Sequence, residues 1–159
     1  MVGRLDDWLK LQAEKNNLSV DPGYMEWAGV AVFKKTYRIF RERGYRLRLL
    51  SAAFRNHMHW SEFIGGDVVI SPPYNWQVRF NASDIEVRSR IDEPVQAHVV
   101  DELERKFPDF RSASSESGLT PEEFDTFGPT RRTLRQFVVA CHDLDGIVRD
   151  FQIPNPDVL

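Results

Sequence analysis

Two short segments carry nearly all the strand character of this chain, and one predicted helix separates them. Tyr45 to Ala52 alternates Arg46 and Arg48 with Tyr45, Leu47 and Leu49 and sets Leu50 directly after Leu49. That pattern predicts a strand with one polar-lined face that passes to full burial at its end. Asp67 to Ile70 predicts a short buried strand, stopped by Pro72-Pro73. Phe54 to Ile64 predicts a helix between them. Strand, helix and strand at this spacing suit a right-handed βαβ unit with parallel pairing. Two strands leave open edges, and an open parallel edge is an association hazard unless something completes or covers it.

The remaining signals are helical. Val2 to Lys15 carries an apolar stripe of Leu5, Trp8, Leu9 and Leu11, with Asp6, Asp7, Lys10, Glu14 and Lys15 outside it, and Asn16-Asn17 ends it. Asp21-Pro22-Gly23 predicts a helix start, with Asp as N-cap and Pro at the first helical position. A long helix is expected from there to Arg43, burying Val30, Phe33, Tyr37 and Phe40, with Gly44 as its C-terminal cap. Tyr74 to Phe80 reads as a short helix or irregular turn. After residue 83 the character changes. Pro94 to Phe107 is amphipathic, residues 108–118 read as a loop, and Thr120 with Glu123 matches a capping box. A last helix from Thr130 to Phe151 repeats Leu134, Phe137, Val138, Cys141, Leu144, Ile147, Val148 and Phe151 at helical spacing. The expected organisation is an α/β part over residues 1–83 and a helical C-terminal extension over 84–159 that packs on it.

Composition narrows the function. The formal net charge is −3 and no nucleic-acid motif is present, which argues against nucleic acid and membrane as partners. No apolar run approaches the ~18–20 residues of a membrane span, and the acidic pair Asp6-Asp7 interrupts any signal-peptide pattern. One cysteine excludes an internal disulfide framework and a cysteine-built zinc site, so a cytoplasmic setting is expected. Charge is unevenly spread. Residues 34–55 hold eight basic side chains against Glu42, and residues 84–127 hold twelve acidic against five basic. This is either a solvated helix face beside a polar connector or an electropositive mouth suited to a phosphorylated substrate.

Arg55 is the first candidate for chemistry. It lies in Ser51-Ala52-Ala53-Phe54-Arg55-Asn56, where a strand end passes into a predicted helix start. Backbone N–H groups there favour an anion, and arginine adds a bidentate fork. In an α/β barrel this end of the strands holds the active site. The competing reading is a surface arginine that pairs locally. Arg4, in Val2-Gly3-Arg4-Leu5-Asp6-Asp7-Trp8, read alone is a solvated first-turn arginine. His57, His59 and Glu62 invite a metal reading, and His59 with Glu62 could share a helix face, but no third ligand joins that pair and His57, two residues from His59, points in a different direction; surface or interhelical polar contacts are expected instead. His98 and His142 are expected to face solvent, Cys141 to pack, and the four tryptophans to pack, with Tyr74 and Trp76 as candidates to flank a mouth. No Gly-x-Ser-x-Gly elbow, Walker A loop or Gly-x-Gly-x-x-Gly occurs.

These segments, in this order, resemble the transaldolase family. Val2-Gly3-Arg4 with Asp7-Trp8 resembles the opening of the helix after the sixth barrel strand, and Asp21-Pro22-Gly23 the start of the following long helix. Ala52-Ala53-Phe54-Arg55-Asn56 is similar to the family's Ala-Ser-Phe-Arg-Asn, and Gly65-Gly66-Asp67 through Ser71-Pro72 to its last barrel strand. Leu119 to Phe124 and the final helix more weakly resemble its C-terminal extension. The resemblance implies a partial (β/α)8 TIM barrel consisting of the last βα units. It also implies a substrate-phosphate site of Arg4 and Arg55, with Ser51, Ala53, Asn56 and Ser71 lining it. Ala53 stands where the family commonly has a phosphate-binding serine.

What the resemblance implies for activity is transfer of a dihydroxyacetone unit between sugar phosphates through a Schiff base, without metal or organic cofactor. The strand bearing the Schiff-base lysine has no counterpart here. Lys10, Lys15, Lys34, Lys35 and Lys106 all lie on predicted helices, so no catalytic residue is expected in this chain and the chain alone is expected to be inactive. Two strands cannot close an eight-stranded barrel. The expected partners are therefore a sugar phosphate and either the missing N-terminal barrel portion or another copy of this chain. A rival reading is a non-catalytic half-barrel interaction module.

Overall fold

The computed structural model describes residues 2–157. It divides into two compact units that meet in sequence at Thr120 and Pro121.

In the first unit, helix α1 (Val2–Lys15) is followed by α2 (Pro22–Met25) and α3 (Ala28–Glu42). Strand β1 (Leu49–Ser51), helix α4 (Met58–Ser61) and strand β2 (Val68–Ile70) form the expected parallel βαβ unit, with Leu49 opposite Val68 and Ser51 opposite Ile70. Helices α5 (Tyr74–Asn81), α6 (Ala97–Lys106) and α7 (Pro108–Ser114) complete it. One apolar cluster joins Leu5, Leu9 and Ala13 of α1 to Met25 and Ala28, and to Val99, Leu103, Phe107 and Phe110. Residues 97–110 thus share a core with the first helices. A second cluster of Val2, Val30, Phe33, Tyr37, Met58, Phe63 and Ile91 touches the strands through Leu49 and Val68.

Several elements differ from the sequence expectation, each for a local reason. Asp6, expected outside the stripe of α1, is fully buried, and Leu11, expected in it, is exposed. The long helix from residue 22 is interrupted at Glu26-Trp27, where Trp27 sits at φ −88°, ψ −8°. The break frees the Glu26 carbonyl, which accepts from Asn56 Nδ2 at 3.2 Å. Of Tyr45 to Ala52, only Leu49–Ser51 is strand, because β2 offers only three partners; Leu47 is 77% exposed and Leu50 50%. Full burial at Leu50 and a buried β2 are therefore overturned: β2 leaves Val69 and Ile70 in contact with solvent. Phe54 to Ile64 shrinks to the single turn of α4, since Ala53 at φ +64° bends the chain and Asn56 Oδ1 accepts the Met58 N–H at 2.9 Å. Residues 108–114, expected as loop, form α7. Pro108 starts it, Phe110 anchors it in the core, and Ser114 Oγ donates to Glu104 Oε1 at 2.9 Å. Gly44 at φ +63° does end α3, with Tyr45 N–H donating to Phe40 O at 3.0 Å.

The second unit holds a 3-10 turn (Glu122–Asp125) and helix α8 (Gly128–Gln152). Pro129 sits at the start of α8, where its missing N–H costs nothing. Its long apolar stripe is exposed, and so is Cys141, contrary to the packing expected of it. Among the described residues no helix is long and apolar enough to cross a membrane.

Candidate functional site

The end of β1 and the first turns of α1 are held against each other by two adjacent aspartates. Asp7 takes Arg55 bidentately: Arg55 Nε donates to Oδ1 at 2.8 Å and Nη2 to Oδ2 at 2.6 Å. Arg55 Nη1 also donates to the Phe54 carbonyl at 2.9 Å. Three of the five guanidinium N–H groups are used this way, and the remaining two face a partly exposed surface. The hydrogen bonds that Arg55 donates to Asp7 hold the Arg55 pKa above its ordinary value. Arg55 is a permanent cation.

Asp6 points the other way, into the core. Its Oδ2 meets His59 Nε2 at 2.8 Å, and its Oδ1 accepts the Gly29 N–H at 2.8 Å. Gly29 is the second residue of α3, where an N–H has no acceptor within its own helix, so Asp6 caps α3 from a distance. Burial pushes the Asp6 carboxyl up from its usual value, against the pull of His59 and the Gly29 N–H. His59 Nδ1 accepts the backbone N–H of Arg55 at 3.1 Å, and the His59 carbonyl accepts Ser51 Oγ–H at 2.8 Å. The loop between β1 and α4 therefore hangs on one buried imidazole.

Close backbone approach brings the loop to α1. A Cβ on Gly3 would lie 1.9 Å from the Ala53 carbonyl oxygen and 2.8 Å from Arg55 Cγ. Only glycine fits there, and the residue after it is Arg4, half-buried in the first turn of α1. Phe54 is buried on the other side of the loop, with its ring 5.8 Å from Phe80 and 6.4 Å from Trp76.

The sequence candidates fall into three groups. Arg55 and Arg4 come from segments in direct contact through Gly3. Ser51 and Asn56 are buried and committed to structure: the Ser51 hydroxyl to the His59 carbonyl, the Asn56 amide to Glu26 O and Met58 N–H. Ala53 is half-buried at the bend, and Ser71 is exposed, its N–H donating to Ser51 O at 2.9 Å. The helix expected to start behind this loop is reduced to the four residues of α4, too short to add a dipole of its own. His57, His98 and His142 are exposed, and no cluster of three or more possible metal ligands occurs among the described residues. Asp6, Asp7 and His59 were not read as site residues. The signal was in the sequence: two carboxylates in the turn after Gly3-Arg4, one of them on the apolar side of the helix.

A hollow of about 600 Å³ lies away from this loop, lined by Lys34, Arg41, Glu93, Glu104 and Phe110 among others, and neither Arg4 nor Arg55 reaches it. A smaller hollow of about 240 Å³ runs along β1, lined by Val2, Leu5, Phe33, Leu49 and Leu50 among others.

Comparison with known proteins bears on what the loop is for. The chain is 28% identical over 124 residues to a transaldolase of Prochlorococcus marinus subsp. pastoris, a match covering 77% of this chain and 35% of that protein. It is 26% identical over 125 residues to a transaldolase of Prochlorococcus marinus strain MIT 9301, with the same coverage of 77% and 35%. The chain thus spans about a third of the length of these curated relatives. No solved structure matches significantly. The profile of the family described as Transaldolase/Fructose-6-phosphate aldolase matches residues 1–116, which takes in α1, the β1 loop and both strands. The chain belongs to the transaldolase/fructose-6-phosphate aldolase family.

Proposed function

We propose that this chain supplies the phosphate-binding end of a transaldolase-type active site and the last βα units of its (β/α)8 barrel. The carrying observation is Arg55, displayed at the C-terminal end of β1 and packed at Gly3 against the turn that bears Arg4. Two guanidiniums from neighbouring segments suit a phosphate dianion, which accepts paired N–H bonds in the geometry a guanidinium offers. Asp7 keeps Arg55 extended, and the two N–H groups that Asp7 and the Phe54 carbonyl leave open are the ones an arriving phosphate would take.

The complete enzyme would transfer a dihydroxyacetone unit between sugar phosphates through a Schiff base, in cytoplasmic carbohydrate metabolism, without metal or organic cofactor. This chain's own part is to bind and orient. All five of its lysines lie on helices. The buried one, Lys34, gives its three N–H groups to Glu62, Arg90 O and Glu93 O at 2.7–2.9 Å. No lysine is displayed at a strand end as a nucleophile, so the chain alone is inactive and the amine comes from a further barrel portion. The free edge of β1, with Leu50 half exposed beside the apolar hollow at Val2 and Leu5, is where a further parallel strand would lie.

Calorimetry with fructose 6-phosphate and with inorganic phosphate tests the site. Saturable binding is expected to both. Arg55→Ala should weaken it at least tenfold, about 1.4 kcal/mol, and Ala53→Ser should strengthen it by about 1 kcal/mol through a restored hydroxyl. Borohydride with fructose 6-phosphate should leave the intact mass unchanged. Binding that ignores Arg55→Ala sinks the phosphate-site reading and leaves the half-barrel interaction module in its place.

A further inference from the structure

We propose that the larger hollow, of about 600 Å³ and lined by α3, residues 91–95, α6 and α7, binds a guanine nucleoside monophosphate, with the phosphate on Lys35 and Arg38 and the base on Glu104. The hollow lies wholly within the first unit and shares no lining residue with the loop of Arg4 and Arg55, so the proposal does not rest on the sugar-phosphate reading. Its volume falls in the range of about 300–1,000 Å³ that suits a ligand of nucleotide size. Following the charges that line it to their partners leaves three groups open. Lys34 gives its N–H groups to Glu62 and to the carbonyls of Arg90 and Glu93, and the Glu93 carboxylate is held by Arg88. Arg41 meets Asp92 at 3.4 Å. Lys35, half-buried, has no hydrogen bond or ion pair among the described residues. Arg38 makes no hydrogen bond there and has only an ionic contact with Glu42, at 3.9 Å. Glu104 is half-buried, accepts the Ser114 hydroxyl at 2.9 Å and meets no cation among the described residues.

The chemistry of these three groups identifies the ligand. Lys35 and Arg38 stand three residues apart on one face of α3. Like charges at that spacing cost a helix stability unless an anion joins them. A phosphate monoester carries close to two negative charges at neutral pH and matches the pair, where a carboxylate would leave one cation over. Half-buried Ala31, Val95 and Val100 offer apolar surface in the same hollow for a flat ring. Glu104 lines the hollow from α6, and an ionised carboxylate only accepts hydrogen bonds. The ligand must therefore bring N–H donors to it. Guanine brings two adjacent ones on its Watson–Crick edge, N1–H and the N2 amino group, one for each carboxylate oxygen. Adenine would set the lone pair of its N1 against the same carboxylate. Inorganic phosphate or a plain sugar phosphate would fill the cationic end and leave the apolar surface and Glu104 unused.

Calorimetry with guanosine 5′-monophosphate and adenosine 5′-monophosphate tests this on the whole chain carrying Arg55→Ala, so that the loop adds no second phosphate site. One guanine nucleotide should bind per chain, at least tenfold tighter than the adenine nucleotide. Lys35→Ala with Arg38→Ala, which breaks no hydrogen bond, should weaken it at least tenfold. Glu104→Gln keeps an acceptor for Ser114 and adds an N–H donor that adenine N1 can accept. It should therefore reverse the order and favour the adenine nucleotide, a gain of binding that a folding defect cannot produce. Should the Arg55→Ala chain lose its fold, the native chain decides, with the same base preference and the same response to the three substitutions expected of it. Absence of saturable guanine-nucleotide binding overturns the proposal. So does binding indifferent to Lys35 and Arg38, or a base preference that Glu104→Gln leaves in place.

Discussion

His59 Nε2 lies 2.8 Å from Asp6 Oδ2, both side chains closed off from water and 53 residues apart in sequence. The other ring nitrogen fixes where the proton sits. Nδ1 receives the Arg55 backbone N–H, and an amide N–H can only donate, so Nδ1 is bare and the hydrogen is on Nε2, aimed at Asp6. Asn56 Nδ2, 3.4 Å from Nε2, is then a neighbour that carries its own hydrogens rather than a partner. One carboxylate thereby joins α1, α3 and the loop that displays Arg55. Asp6 and His59 are positioning residues: they act on Arg55 through its backbone, while Asp7 acts on its guanidinium.

Removing Asp6 should therefore unfasten three segments at once. Asp6→Ala leaves the Gly29 N–H and the His59 Nε2–H buried without acceptors, at about 1–3 kcal/mol each, so a loss of about 3–5 kcal/mol is expected in urea unfolding. Asp6→Asn keeps one acceptor and should lose roughly half as much. Asp6 also carries a pH signature. Its pKa in the folded chain lies above the ordinary 3.8, so between those two values the folded state binds the extra proton. Stability from this group thus rises as pH falls through the folded pKa and is lost as pH climbs back through it. The margin of the native chain over Asp6→Asn should shrink as pH rises through that window. A margin that grows with pH would mean that the hydrogen bonds from His59 and Gly29 outweigh burial.

The βαβ unit and the neighbourhood of Arg4 and Arg55 were legible because motif order and period survive in a short stretch. Partnership across the fold was less so. A carboxylate such as Asp6 reads as the polar side of α1, since its acceptors, Gly29 and His59, arrive from distant sequence. The break at Trp27 and the collapse of the helix after Phe54 share that cause: long-range hydrogen bonds, of Asn56 to the Glu26 carbonyl and of His59 to Asp6, overrule local propensity. The periodicity of α8 was clear and its extent nearly right, but period does not say what covers an apolar face.

Ala53 holds the bend of the loop at φ +64°, a conformation that crowds a Cβ against its own carbonyl. Ala53→Gly removes that Cβ and should raise stability by about 0.5–1 kcal/mol, less than the full strain because glycine also frees the unfolded chain. Paired urea melts would detect it. A loss of stability instead would show that the Ala53 methyl contributes more by packing than it costs in strain.

Lys34 is the buried cation of the first unit, and its three partners account for the three N–H donors of an ammonium. Its role is to tie α3 to Glu62 and to the carbonyls of Arg90 and Glu93, which fixes the segment leading into α6. Lys34→Met would leave the Glu62 carboxylate, itself only 13% exposed, without its counter-ion and two carbonyls without a donor. The expected cost is about 3–5 kcal/mol, since breaking one side of a buried pair strands the other. Lys34→Met with Glu62→Leu removes both charges, and much of the loss should return because no ion is left desolvated. The unfolding free energies of the two single variants and the double variant, taken as a cycle, separate the pair from its surroundings. A double variant as unstable as the sum of the singles would mean that Lys34 acts through the Arg90 and Glu93 carbonyls alone.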